Sequence, residues 1–154
     1  MTTSAYYDDC PPGECKNGVL CQNLEKLTFG DSLFDVVVTQ DVLEHVRDYR
    51  AALREIYRVL KNGGSHVFSI PFYFVSGTEE LFGYRDGEYV PLKLPIEYHG
   101  DGIRGTIPAL YHFGFSLVRD MEDVGFSVAI DIPTYEDAVR YGFFGCYTFI
   151  AQKR

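Results

Sequence analysis

Apolar and polar positions along the chain alternate between two spacings. Residues 34–39 (FDVVVT) are a run of strand formers that is apolar on both faces, the pattern of a strand inside a parallel sheet covered by helices. The run ends in Gln40-Asp41 and a helix-like Leu43-Glu44-His45. From Tyr49 to Leu60, Leu53, Ile56, Tyr57 and Leu60 follow i, i+3, i+4, i+7 spacing, which predicts a helix with one buried face. Asp48 is placed to cap its start and Gly63-Gly64 to end it. SHVFSIP (65–71) then predicts a second buried strand stopped by proline, so that 34–70 reads as strand, helix and parallel strand joined by a right-handed crossover. Val36, Val38, Leu53, Ile56, Leu60 and Phe68 are the expected core of this unit.

The flanking pattern is weaker. TTSAYY near the N-terminus reads as a short extended piece and GVLCQNL (18–24) as a short strand. Residues 72–112 are rich in Gly, Pro and Tyr with little periodicity, too long for an ordinary connection of about 4 to 6 residues, and read as an insert or lid over a site. Leu117, Val118, Met121 and Val124 return to helical spacing before Gly125 and SVAIDI. The run 143–151 predicts a last strand, antiparallel to its predecessor because the link between them is short. One domain is expected over 1–154, with a core of 17–71 and 113–154.

Composition narrows the function. Fourteen Lys and Arg against 22 Asp and Glu give a net charge of −8, which argues against nucleic acid and anionic membrane as partners. The apolar runs are too short to span a bilayer, and MTTSAYYDDC has no signal region, so the expected location is the cytoplasm. The spacing of Cys10, Cys15 and Cys21 fits none of the common zinc motifs. They are expected as free, partly buried thiols and no metal is assigned. A metal site would need His66, His99 or His112 to converge on them.

LTFGDSLFDVVVTQDVLEHVRDYRAALREIYRVLKNGG resembles the second half of a class I S-adenosylmethionine-dependent methyltransferase of the type-11 kind. Its phrase runs L-P-F-x-D-x-S-F-D-x-V, then D-V-L-E-H, then a helix ending R-V-L-K-P-G-G; Asn62 stands where proline is usual. The resemblance implies an α/β, Rossmann-like, doubly wound and mostly parallel sheet with an antiparallel last strand. It implies S-adenosylmethionine as cofactor and methyl transfer to an unknown small-molecule acceptor. Gln40, flanked by Asp41 and Val42, falls where the family contacts the methionyl part, and Asn23-Leu24 where it holds adenine.

Two parts of the family pattern are absent. No D/E-x-G-x-G-x-G loop precedes residue 17, so the first strand and helix are expected to be missing in an N-terminally truncated domain. Ala5 stands where an acidic residue would take the ribose hydroxyls. The expectation is weak or absent cofactor binding by this chain alone. An inactive, methyltransferase-like module acting as a binding or oligomeric partner is the alternative function. Strand 34–39 would then be an exposed edge, which predicts a homo-oligomer that covers it.

His45 is the best catalytic candidate, since a carboxylate beside an imidazole can take a proton from an acceptor; a helix-start pair that organises the turn is the competing reading for Glu44-His45. Tyr98 and His99, in the insert, are candidate substrate contacts or plain loop residues. His66, within a strand, reads as a satisfied core histidine, and His112 as a cap or surface residue.

Overall fold

The computed structural model describes residues 1–85, 88–142, 145 and 147–154. Its elements in chain order are β1 (Ser4–Ala5), β2 (Cys15–Lys16), β3 (Val19–Cys21), β4 (Phe34–Gln40), α1 (Tyr49–Val59), β5 (Leu60–Ser69), β6 (Glu79–Glu80), β7 (Phe82–Arg85), β8 (Glu88–Pro91), β9 (Tyr98–Asp101), β10 (Gly105–Pro108), β11 (Tyr111–His112), α2 (Ser116–Val124), β12 (Phe126–Asp131), α3 (Tyr135–Tyr141) and β13 (Thr148–Lys153). A 3-10 turn, Leu43–His45, lies between β4 and α1. The central sheet has the order β12-β13-β5-β4. β4 and β5 are parallel, while β13 runs antiparallel to both β5 and β12.

The strand, helix, strand unit forms as the periodicity predicts. The Asp48 side chain accepts the Ala51 N–H at 2.9 Å and caps α1, and Leu53 and Ile56 are fully buried on one face of the helix. Register places Val37, His66, Ala151 and Val128 in one row across the sheet and Thr39, Phe68, Phe149 and Ile130 in the next. This face packs with Leu53, Ile56, Leu117 and Met121 of α1 and α2 into the core. Gly125 closes α2 in the left-handed conformation, its N–H bonded to the Glu122 and Met121 carbonyls.

Several expectations are corrected. Val36 and Val38 are 53% and 70% exposed rather than buried, because they point away from α1 and α2 and, among the described residues, β4 is paired on one side only, by β5. An apolar strand is thus covered on one face. The Gly63-Gly64 pair does not end the helix, which already leaves helical geometry at Leu60. It lies inside β5, where a Cβ on Gly64 would sit 2.9 Å from the Lys61 carbonyl oxygen and 3.0 Å from that of Asp35, so glycine is needed for the approach of β4.

The 133–142 link contains α3. The last strand starts at Thr148 rather than 143, and residues 143, 144 and 146 of the predicted run lie outside the described residues. The 72–112 segment is a set of short antiparallel strands, β7 with β8 and β9 with β10, while β6 pairs with β11. His112 is on β11 rather than at a helix start. Cys10 and Cys21 form a disulfide rather than two free thiols, and Cys15 is free and exposed. The sulfurs meet because β3 is clamped between β1 and β2, with Gly13 N–H on the Cys21 carbonyl at 2.8 Å.

Candidate functional site

β1 and β3 are parallel, with Ser4 opposite Leu20 and Ala5 opposite Cys21, and this small sheet faces the unpaired side of β4 across a cleft of about 1070 Å³. The carboxyl end of β4 opens onto it, the place where open α/β sheets bind ligands. Asp41 makes this possible. Its φ of 48° is left-handed, a conformation that Asp tolerates better than most residues, and the Asp41 N–H and side chain are tied to Ser69 at 3.0 and 3.1 Å. The strand therefore stops at Gln40 and the chain turns into the 3-10 segment.

Asn23, Leu24, Gln40, Asp41, Val42 and His45 all line this one cleft, together with Ala5 and Asp8. Asn23 Oδ1 accepts the Glu25 N–H at 2.9 Å, which fixes the side chain and leaves one lone pair of that oxygen for a ligand donor. Tyr98 is exposed on β9 and is no part of this wall, but His99 touches His45.

That contact is part of a larger cluster. Pro108, at the end of β10, accepts from His45 Nδ1 at 2.9 Å, and the Leu110 N–H donates to the Glu44 carbonyl at 2.7 Å. These two bonds seat the β9–β10 hairpin on the 3-10 turn and bring His99, 54 residues away, to His45, with Nδ1 3.3 Å from Nε2. Glu44 lies beneath the two rings, fully buried, its Oε1 3.7 Å from His45 Nε2 and 3.7 Å from His99 Nδ1. Neither of its carboxylate oxygens has a hydrogen-bond partner among the described residues.

The charge states follow from burial. Loss of water pushes the Glu44 carboxyl up to about 7, helped by the nearby Asp41 charge. Burial also holds His45 below the usual imidazole range, so at neutral pH it is a neutral base. On the outer side, Glu97 Oε1 holds His99 Nε2 at 3.0 Å and Glu97 Oε2 holds His112 Nε2 at 2.8 Å. These hydrogen bonds keep Glu97 below the usual carboxylate range. Glu79, 3.4 Å from His112 Nδ1 and bonded to Lys93 at 2.8 Å, carries the network to the surface.

In sequence His99 stands apart from His45, and Glu97 carries no motif. The Glu97-x-His99 spacing, two residues in an extended segment, puts both on one face and was the available signal.

The family profile described as "Methyltransferase domain" matches residues 8–68. An uncharacterised protein of Methanocaldococcus jannaschii is 49% identical over 89 residues, 58% of this chain and 39% of that protein. The ubiquinone/menaquinone biosynthesis C-methyltransferase UbiE of Xanthomonas oryzae is 55% identical over 42 residues, 27% of this chain and 17% of that protein. The chain therefore spans well under half the length of either relative. In fold it is similar to an S-adenosylmethionine-dependent methyltransferase of Mesorhizobium loti, with a TM-score of 0.55 at 15% identity, over 91% of this chain and 72% of the other. The profile covers β2 to β5 and the likeness of fold covers most of the chain, so residues 8–68 are similar to a methyltransferase domain and the chain has the α/β fold of S-adenosylmethionine-dependent methyltransferases.

Proposed function

We propose that this domain serves S-adenosylmethionine-dependent methyl transfer to a small-molecule acceptor, with the cofactor in the cleft between β1 and β4. The observation that carries this reading is the convergence of Asn23, Leu24, Gln40, Asp41 and Val42 on that single cleft. Asn23 and Leu24 would meet the adenine ring and Gln40 the methionyl part. The fit is partial. Ala5 has no acceptor for ribose hydroxyls, and Asp8, which lines the cleft beyond β1 and stands 3.9 Å from Arg104, is the carboxylate that this part of the chain offers instead. His45, neutral and on the cleft wall, is placed to take a proton at Nε2 from an acceptor hydroxyl or amine while no cation occupies that nitrogen, which together with alignment is what attack on an electrophilic methyl group requires.

Calorimetric titration of the chain with S-adenosylmethionine tests this. A dissociation constant of roughly 0.1 to 1 mM is expected, because losing two charge-assisted bonds to ribose at about 1.5 to 2 kcal/mol each raises a micromolar constant about 100- to 1,000-fold. Gln40→Ala should weaken it further. A micromolar constant would show that the cleft wall is complete without a ribose carboxylate at position 5, and the absence of any heat at several millimolar would defeat the functional reading.

As the alternative to a cofactor in this cleft, we propose that a second copy covers the free edge of β4, which is a wall of the same cleft, so that the two would compete for it. An apolar edge with Val36 and Val38 at 53% and 70% exposure invites strand pairing. Light scattering at tens of micromolar should give at least a dimer mass, and a monomer mass rejects the idea.

A further inference from the structure

We infer that Glu44, His45 and His99 form a binding site for a divalent transition-metal cation of the Zn²⁺ or Mn²⁺ kind. The argument begins with protons. His45 Nδ1 lies 2.9 Å from the Pro108 carbonyl oxygen, which can only accept, so in neutral His45 the proton is on Nδ1 and Nε2 carries a lone pair. His99 Nε2 lies 3.0 Å from Glu97 Oε1, again an acceptor, so the His99 proton is on Nε2 and Nδ1 carries the lone pair. The two lone pairs face each other at 3.3 Å with no proton between them.

The third donor is the buried carboxylate. Glu44 Oε1 is 3.7 Å from each of these nitrogens, too far for a hydrogen bond, and both its oxygens lack any partner although the residue is wholly enclosed. A buried carboxylate without donors is costly unless a cation meets it. The point equidistant from the three atoms lies about 2.1 Å from each, as these separations dictate, and metal bonds to imidazole nitrogen and carboxylate oxygen are roughly 2.0 to 2.2 Å long.

The surroundings match what such sites require. The imidazole nitrogens that face away from the ion are anchored, one on a backbone carbonyl and one on a carboxylate, which fixes ring orientation and tautomer. Two imidazoles and one carboxylate suit borderline cations over Mg²⁺ or Ca²⁺, which prefer oxygen ligands. Three protein ligands leave a coordination position open. His45 lines the cleft, so an oxygen ligand, water or the hydroxyl of a small molecule, is the class that would complete the shell. This inference does not depend on cofactor binding.

The test is metal titration of chelator-stripped chain. With Zn²⁺ followed by calorimetry and Co²⁺ by visible absorption, one ion per chain is expected. In the unaltered protein, Zn²⁺ should shift the NMR resonances of His45 Nε2 and His99 Nδ1 and leave those of His66 in place, a readout that needs no variant to fold. Glu97→Gln, which alters the anchor of His99 and the bond to His112 but none of the three ligands, should weaken binding about 10- to 100-fold. Glu44→Gln and His99→Ala should weaken it more, with circular dichroism confirming that they fold. Cys15→Ser, which changes an exposed free thiol, should leave binding as it was. Failure to bind an ion, binding lost in Cys15→Ser instead, or unmoved His45 and His99 resonances would overturn the proposal and assign the gap to a proton shared by the two rings.

Discussion

Phe149→Ala should destabilise the protein by about 3 to 5 kcal/mol, the cost usual for deleting a large buried ring. Phe149 is fully buried in β13, the strand between β12 and β5. Its ring stacks on Phe68 with centroids 4.9 Å apart and meets the edge of Phe72 at 5.1 Å. Removing it opens a cavity between the sheet and the aromatic cluster, and the stacked Phe68 is held in its own row of the sheet. The next residue supplies the control. Ile150 points to the other face and is 39% exposed, so Ile150→Ala should cost well under half as much. Urea unfolding of both variants measures this, and equal shifts in midpoint would mean that the two faces of the sheet are equally covered. Since domains of this size are stable by roughly 5 to 15 kcal/mol, Phe149→Ala removes a large share of the total.

Acid should expose His66. Burial in the sheet core pushes its pKa down to about 3, against about 6.5 for an unperturbed imidazole. A group whose folded pKa is depressed contributes stability that is complete above its unfolded pKa and is lost as pH falls towards its folded pKa. The loss begins near pH 6.5, proceeds at about 1.4 kcal/mol per pH unit and reaches about 4 to 5 kcal/mol near pH 3. Glu44 acts oppositely. Its pKa is raised to about 7, so its contribution is complete below the unfolded carboxyl value and is lost as pH rises through 7.

Between about pH 4.5 and 7 the two offset one another, and the unaltered protein alone would show little slope. His66→Phe separates them, because a phenyl ring can keep the 4.4 Å stack on Phe68 while removing the titration. The stability difference between variant and parent should change by about 4 to 5 kcal/mol in favour of the variant between pH 7 and pH 3. A difference independent of pH would mean that water reaches the ring. The histidine is only half satisfied as a core residue: Nε2 bonds to Thr39 Oγ1 at 2.9 Å, while Nδ1 has no partner.

Much of the fold is legible in the sequence because its causes are local. The α1 face, its Asp48 cap, the left-handed stop at Gly125 and the parallel pairing of β4 with β5 depend on residues a few positions apart or on one crossover connection. The turn at Gln40-Asp41 is of the same kind, and the candidate residues around it do line one cleft. The misreadings share a different cause. Val36 and Val38 look like core in any window of sequence, yet their burial depends on what lies across the sheet and beside its edge. Gly64 looks like a helix stop, yet the atoms that demand a glycine include the carbonyl oxygen of Asp35 on a neighbouring strand. The pairing of Cys10 with Cys21 needed β3 to be set between its two short neighbours.

Local spacing in this chain, then, was sufficient for the type and order of its central elements and for the polar turn at the end of β4, since helix and strand periods and caps are properties of near neighbours. The meeting of Glu44 and His45 with His99 was settled only in three dimensions. A carboxylate becomes an unpaired buried group, and two imidazoles become facing lone pairs, only when the β9–β10 hairpin closes over the 3-10 turn and excludes water. Desolvation and convergence of that sort depend on contacts 54 and more residues apart, and no pattern within a single segment encodes them.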